Sequence, residues 1–337
     1  MSMHIENLTP FPCQFTLAFD SAGREMVVVV TKGTYTLPEA PGDACALSPV
    51  QRPLHLADEI AEGLGSAILS ETDFAPAKPF CDVMVSGPAC TPGGEEVKRL
   101  LVAAQLGKVK KSFHVLGPRA WQGRMLGVEP SDPKPFSVQE IGYQQAWGGG
   151  EQHPRKEDIW DTVETNPAGV GYYPYASKTE GKPLPNTEEI GKPVLDPVGT
   201  YVPMAFGPIG RAWLPRRTFA GTYDKVWQDT RMPFPPTDLD PRYFQSAPPD
   251  QQIRYPTHGE AFSLVGLSPR GPIHGVLPAP KVTMRFERKT GRMTQRIAQP
   301  DTVVFYPSDH QLTITWRTHL KPDRDIFDLS QVVVEAQ

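Results

Sequence analysis

The stretch from Pro203 to Gln252 constrains this chain more than any other. Few of its residues suit a helix interior or a long strand, because prolines fix φ and remove backbone donors while glycines favour left-handed conformations. Yet it also carries Trp213, Phe219, Tyr223, Trp227, Phe234, Tyr243 and Phe244. That is too many rings for a disordered linker. A segment both irregular and aromatic is expected to be an ordered, packed loop region, and long ordered loops are where binding concentrates. The pattern points to recognition more than to catalysis.

Length and charge narrow the classes. A chain of 337 residues can bury a sizeable core. Charged residues make up 21% and the net charge is −4, which implies no polyanion-binding surface. Lys108, Lys110 and Lys111 are read as a solvated hairpin end, so no nucleic-acid partner is expected. The longest strongly apolar run, Met26 to Val30, is far too short for a helical membrane span. Met1 to Pro12 lacks the cationic start and apolar core of a signal peptide, so a cytoplasmic location is expected. Cys13, Cys45, Cys81 and Cys90 form no C-x-x-C pair and are expected as free thiols, although Cys81 and Cys90 could approach across a hairpin.

Of the 38 prolines, 23 lie between Pro133 and Pro280. This asymmetry suggests one large domain over residues 1–337, with a strand-rich part at 1–130, an irregular part at 131–280 and a strand meander at 281–337. Phe11 to Asp20 alternates, Ser21-Ala22-Gly23 turns, and Glu25 to Leu37 is β-branched and aromatic, together a β-hairpin. Glu59 to Leu69 is a candidate short helix weakened by Gly63 and Gly65. Phe80 to Val85 reads as a strand. Glu95 to Lys111 fits helical spacing or a strand, and the alternation of Phe113 and Val115 favours a hairpin turning at Gly107-Lys108.

Lys281 to Arg288, Arg292 to Ile297, Thr302 to Tyr306, Gln311 to Trp316 and Gln331 to Glu335 read as successive strands. In the fourth, Thr313, Thr315 and Arg317 face one side and Leu312, Ile314 and Trp316 the other. The fold class expected is mainly β, with sandwich-like antiparallel sheets and a long ordered Pro/Gly/aromatic-rich loop region.

Catalytic motifs are scarce. The sequence has no G-x-S-x-G elbow, no Walker loop, no H-E-x-x-H and no metal-spaced Cys/His cluster. Gly148-Gly149-Gly150 is more simply a structural loop than an anion nest. Asp238-Leu239-Asp240 resembles a cation-holding pair, but further oxygen ligands cannot be named. Asp224 is better read as capping a turn or neutralising Arg216 and Arg217 than as a general base. His55, three residues before Asp58, and His258, two before Glu260, have no nucleophile nearby in sequence. No cofactor, metal or enzymatic activity is expected. Trp147, Trp160, Tyr172, Tyr173, Tyr175, Trp213, Tyr223 and Trp227 instead sit among Gly, Pro and Arg, the surroundings of interface hot spots. More than half of these rings are expected to fill a second small core beneath the loops.

A set of short motifs then follows in order. It comprises Ala146-Trp147-Gly148-Gly149, Asn166-Pro167-Ala168-Gly169-Val170-Gly171-Tyr172, Leu184-Pro185-Asn186-Thr187-Glu188 and Phe206-Gly207-Pro208-Ile209-Gly210-Arg211-Ala212-Trp213 with Pro215-Arg216. Ala220-Gly221-Thr222-Tyr223-Asp224-Lys225-Val226-Trp227, Pro236-Thr237-Asp238-Leu239-Asp240 and Ala247-Pro248-Pro249-Asp250-Gln251-Gln252 close the series. The ends add Glu71-Thr72-Asp73 with Pro76 and Lys78, Asp82-Val83, Asp301-Thr302-Val303 and Trp316-Arg317.

This order resembles the bacterial domain of unknown function 2169, and the resemblance covers nearly the whole chain. Trp147 stands where the family pattern often has Phe. The resemblance implies a cytoplasmic adaptor or chaperone that binds a type VI secretion effector and assists its loading onto the spike through VgrG or PAAR-type carriers. The candidate partner-binding or loop-organising residues are Trp147, Gly148, Gly149, Asn166, Pro167, Trp213, Arg216, Gly221, Tyr223, Asp224 and Trp227. The alternatives are a carbohydrate-binding module or an enzyme acting on glycans or peptidoglycan.

Overall fold

The computed structural model describes residues 3–61, 67–125, 127–156, 158–175, 179–256, 259–322 and 326–337. It is mainly β. Cys13–Phe19 and Glu25–Thr36 form the expected hairpin, paired from Cys13 opposite Thr31 to Phe19 opposite Glu25. Glu25–Thr36 is central to a seven-stranded sheet, because β-branched side chains on both of its faces are buried. Across that sheet the main path runs Gln252–Ile253, Cys81–Val85, Gln299–Tyr306, Gln311–Leu320, Glu25–Thr36, Cys13–Phe19, and Ala46–Leu47 pairs at the far end of Glu25–Thr36. Cys81–Val85 and Gln299–Tyr306 run parallel, and the other pairs are antiparallel.

A five-stranded antiparallel sheet orders Thr187–Glu188, Val109–Leu116, Arg99–Leu106, Ala261–Val265 and Ile273–Val276. The expected hairpin turning at Gly107-Lys108 is its centre. A four-stranded sheet orders His4–Asn7, Leu329–Ala336, Val282–Arg288 and Met293–Ile297. One apolar cluster draws Val27, Val303 and Ile314 from the first sheet, Phe113 and Leu264 from the second, and Phe286 and Val334 from the third. The two smaller sheets therefore pack on the same face of the large one, a sandwich-like arrangement.

Three expectations change. The C-terminal strands are not one meander: Gln299–Tyr306 and Gln311–Leu320 join the seven-stranded sheet, while Val282–Arg288, Met293–Ile297 and Leu329–Ala336 join the four-stranded one. Glu59–Ile60 and Ile68–Ser70 pair as short strands where a helix was considered, and Gly63 and Gly65 lie outside the described residues. Lys111 is buried at the five-stranded sheet, 3.0 Å from Asp250 and donating to Gln251, and is no solvated hairpin end. All four cysteines are free thiols. Among the described residues no helix is long and apolar enough to cross a membrane.

Over the second face of the seven-stranded sheet the described residues place irregular segments and the short Glu59–Ile60 and Ile68–Ser70 pair. Met26, Val28 and Val30 meet Leu54 and Phe74 there, and Lys32, Thr313, Thr315 and Arg317 are buried beside them. The irregular segments cover this face.

Candidate partner-binding surface

A buried ionic layer joins the loops to the sheet. Lys32 pairs with Asp73, Lys78 lies 2.7 Å from Asp82, and Arg317 pairs with Asp301. Asp82 also accepts from the Gln245 amide and from the backbone and hydroxyl of Ser246. Burial pushes the Lys32 ammonium below its ordinary range against the raising effect of Asp73. It pushes the Asp301 carboxyl up in spite of Arg317 and Lys78. A cleft of about 590 Å³ lies over this face, lined in part by Lys32, His55, Ser70, Asp73, Thr313 and Arg317. Of the three pairs only Lys32–Asp73 has both partners in the lining; Lys78 and Arg317 reach the cleft, while Asp82 and Asp301 do not line it. The motif residues Asp73, Lys78, Asp82, Asp301 and Arg317 come from opposite ends of the chain and converge here.

The Ala146–Gly150 segment is a tied knot. The Asn166 side chain is fully buried and donates to the carbonyls of Tyr143 and Trp147 at 2.8 and 2.9 Å. The Asn166 backbone carbonyl accepts from the N–H groups of Gly149 and Gly169. A Cβ at Gly148 would lie 2.1 Å from the Asn166 carbonyl oxygen, and Gly149 has φ +93°, so neither position accommodates a larger residue without strain. The triple glycine thus admits a neighbouring backbone, which agrees with the structural-loop reading. Pro167 follows, half-buried. Trp147 is buried with Trp121, Leu184 and Val194, and Tyr201 meets its ring edge-on at 4.7 Å.

Trp213 and Arg216 form a second anchor. Trp213 packs with Ile209 and Ala205 and meets Tyr143 edge-on at 5.6 Å. Arg216, 2% exposed, holds Glu71 through two bonds of 2.8 and 2.9 Å and donates to the carbonyls of Ile209 and Tyr243. Arg217 pairs with Glu164. Neither arginine is neutralised by Asp224, as the sequence had suggested; a carboxylate from a distant segment reaches Arg216 first.

Residues 221–234 behave differently. Gly221, at φ +82°, opens the turn, and Asp238 takes the backbone N–H and hydroxyl of Thr222 at 3.0 and 2.7 Å. Those bonds hold the Asp238 carboxyl below its usual range. Asp224 caps the short helix Lys225–Thr230 by accepting from the N–H of Trp227 at 2.8 Å. The Trp227 indole donates to the Phe234 carbonyl at 2.9 Å, and Tyr223 meets the indole edge-on at 4.7 Å. Arg231 donates to the carbonyls of Ser21 and Pro235, and Phe234 packs edge-on against Phe19 at 5.1 Å. The helix is thereby braced against the Cys13–Phe19 hairpin. Tyr223 is 56% exposed, Val226 67% and Met232 62%. Leu17 and Phe19 are exposed at the hairpin it leans on.

The eleven candidate residues therefore separate. Trp147, Gly148, Gly149, Asn166, Pro167, Trp213 and Arg216 organise loops. Gly221, Tyr223, Asp224 and Trp227 build one outward turn. Tyr172 and Tyr173 pack partly against the Trp147 cluster, and Trp160 lies exposed on the hairpin of Gly150–Gln152 with Trp160–Thr162. The carboxylates considered for chemistry have local partners: Asp240 caps its turn and pairs with Arg242. Among the described residues no group of three or more His, Cys, Asp or Glu side chains is placed to hold a metal. His55 lies against Glu59 at the cleft, and His258 lies outside the described residues.

Sequence reasoning passed over Val226, Met232, Leu17 and Phe19 as binding residues, since single apolar residues carry no signal until neighbours leave them uncovered. It also assigned no role to Lys32, although a lysine inside a β-branched run marks a polar group needing a buried partner.

No curated protein and no solved structure matches the chain. Residues 22–317 match a family described as an uncharacterized protein conserved in bacteria, DUF2169. The match spans most of the sequence and takes in the knot, both loop anchors, the outward turn and the ionic layer. The chain is a member of the DUF2169 family.

Proposed function

We propose that this protein is an adaptor that captures a type VI secretion effector, or its VgrG or PAAR-type spike carrier, and does not transform it. The link to secretion comes from the motif order and what it implies. The observation that supports binding is the turn at 221–234. It holds Tyr223, Val226 and Met232 out to solvent on a backbone fixed by an aspartate cap, an indole hydrogen bond and an arginine clamp. Isolated exposed apolar residues are ordinary, but rigid presentation of several on one braced turn is the form of an interface patch. Such a patch loses little side-chain entropy on binding, because its aromatic member is already oriented.

The mechanism is reversible capture. An apolar segment of the cargo covers the turn in the cytoplasm and leaves it when the cargo docks on the spike. Contact over roughly 1,600 Å² in total would suffice for a stable complex. Co-expression with each protein encoded beside this gene, followed by pull-down and size-exclusion chromatography, tests the reading. The wild-type chain should retain one of them, and Val226→Asp should weaken capture while leaving thermal stability intact. Failure of the wild-type chain to retain any of them would overturn the adaptor reading. Binding of a peptidoglycan fragment instead would favour the carbohydrate-binding alternative.

A further inference from the structure

We infer that the outer edge of Cys13–Phe19 is a strand-addition site: an extended, apolar-alternating segment of the captured protein pairs with it. This rests on the adaptor reading and names how the partner is held.

Sheet edges offer unpaired N–H and C=O groups, and proteins ordinarily blunt them with charges, prolines, bulges, short length or a covering segment. Most edges here are blunted. Thr187–Glu188 and Gln252–Ile253 are two residues long. Met293–Ile297 carries Arg296, and His4–Asn7 carries Glu6. Ile273–Val276 is met by Gly42 and Cys45, which donate to the carbonyls of His274 and Val276. Among the described residues no backbone group pairs with the outer edge of Cys13–Phe19, although Phe234 rests on its end at Phe19. The strand is seven residues long, reads C-Q-F-T-L-A-F without charge or proline, and keeps an unbroken register with Glu25–Thr36.

Its outward groups can be assigned. Lys32 donates to the Pro12 carbonyl and Asp20 to the Arg24 carbonyl, so even-numbered residues bond inward to the hairpin partner. Antiparallel pairing alternates, so Cys13, Phe15, Leu17 and Phe19 turn their N–H and C=O groups outward. The Phe15 N–H is met only by the side-chain oxygen of the adjacent Gln14, at 3.1 Å, which a partner carbonyl can displace. The same residues place their side chains on one face. Cys13 and Phe15 pack against the main core, whereas Leu17 and Phe19 remain 49% and 40% exposed. An added strand with apolar residues at alternate positions would satisfy the backbone and cover both side chains. The edge is continuous with the candidate patch, because Phe19 touches Phe234 and Arg231 holds Ser21.

The test uses the full chain with whichever protein encoded beside its gene it retains. Leu17→Pro removes an outward N–H without removing an inward ladder bond, and Leu17→Lys adds a charge to the edge without touching the backbone. Both should lower capture at least tenfold with the fold intact by circular dichroism. Amide exchange at the outward N–H groups of Cys13, Phe15, Leu17 and Phe19 should be fast in the free chain and slow in the complex, while the inward N–H groups of Gln14, Thr16 and Ala18 are protected in both. Undiminished capture by Leu17→Lys, or unchanged exchange in a complex that forms, would overturn this inference and leave the adaptor reading standing. Absence of any wild-type complex overturns both. A dimer of the isolated chain that Leu17→Lys dissociates would assign the edge to a second copy and overturn the partner-strand assignment.

Discussion

The segments around Ala146–Gly150 and Gly221–Phe234 are built from the same residue types, yet they do opposite things. In the first, Trp147 is buried and Asn166 directs its amide into two backbone carbonyls, so rings and polar groups both face inward. In the second, the ties are just as definite, an aspartate cap and an indole bond, but they run along the turn and leave Tyr223, Val226 and Met232 in solvent. Composition alone does not separate a loop that is scaffold from one that is presented. The separation comes from where the anchoring contacts go: into a core across the chain, or within the turn and onto a neighbouring hairpin.

Substitutions should divide along that line. The largest effect is expected at the first anchor layer. Arg216→Ala leaves Glu71 with Arg211 as its remaining cation and frees the buried carbonyls of Ile209 and Tyr243, and should lower stability by about 3 kcal/mol. Trp147→Ala opens a cavity beside Trp121 and Tyr201 and should cost about 3–5 kcal/mol as well. Chemical denaturation measures both, and wild-type midpoints would contradict the anchoring role.

Next in size is the capture loss on the presented turn. Tyr223→Ala should weaken retention of the effector or spike protein by about 2 kcal/mol, near thirtyfold, if Tyr223 is an interface anchor. Its effect on stability should stay within about 0.5 kcal/mol. Titration by calorimetry and a thermal melt read the two separately.

The smallest effect concerns pH. His55 sits below its ordinary value because burial and then Lys32 disfavour the imidazolium. Between its folded and ordinary values the unfolded chain binds more protons. Its contribution is therefore fully present above about pH 6.5 and is lost as pH falls through the folded value. Burial lowers His319 in the same sense. His55→Gln should flatten part of the acid-side decline in melting temperature, with His319 supplying the remainder. An unchanged slope would show that the cleft does not restrain His55.

The strands were largely legible because alternation and β-branching report burial directly: Phe113 and Val115 placed Val109–Leu116, and Phe15 and Leu17 placed Cys13–Phe19. Their distribution among sheets was not. Gln311–Leu320 carries Thr313, Thr315 and Arg317 on one face, a polar pattern, yet that face is buried, with the Asp73 loop over it and Asp301 of the adjacent strand pairing Arg317. Periodicity cannot reveal that Thr315 and Arg317 meet Asp73, more than two hundred residues away. The site was half legible for the same reason. Tyr223, Asp224 and Trp227 were found through their motif, but the Phe19–Phe234 contact that fixes their setting is long-range.

The most direct test is a pair of variants, Val226→Asp and Trp147→Ala, compared for melting temperature and for retention of the effector or spike protein. The account predicts that Val226→Asp keeps the wild-type melting temperature and loses retention, whereas Trp147→Ala melts markedly lower. A Val226→Asp protein that retains its partner fully, or that unfolds as readily as Trp147→Ala, would contradict the division between presented turn and buried scaffold.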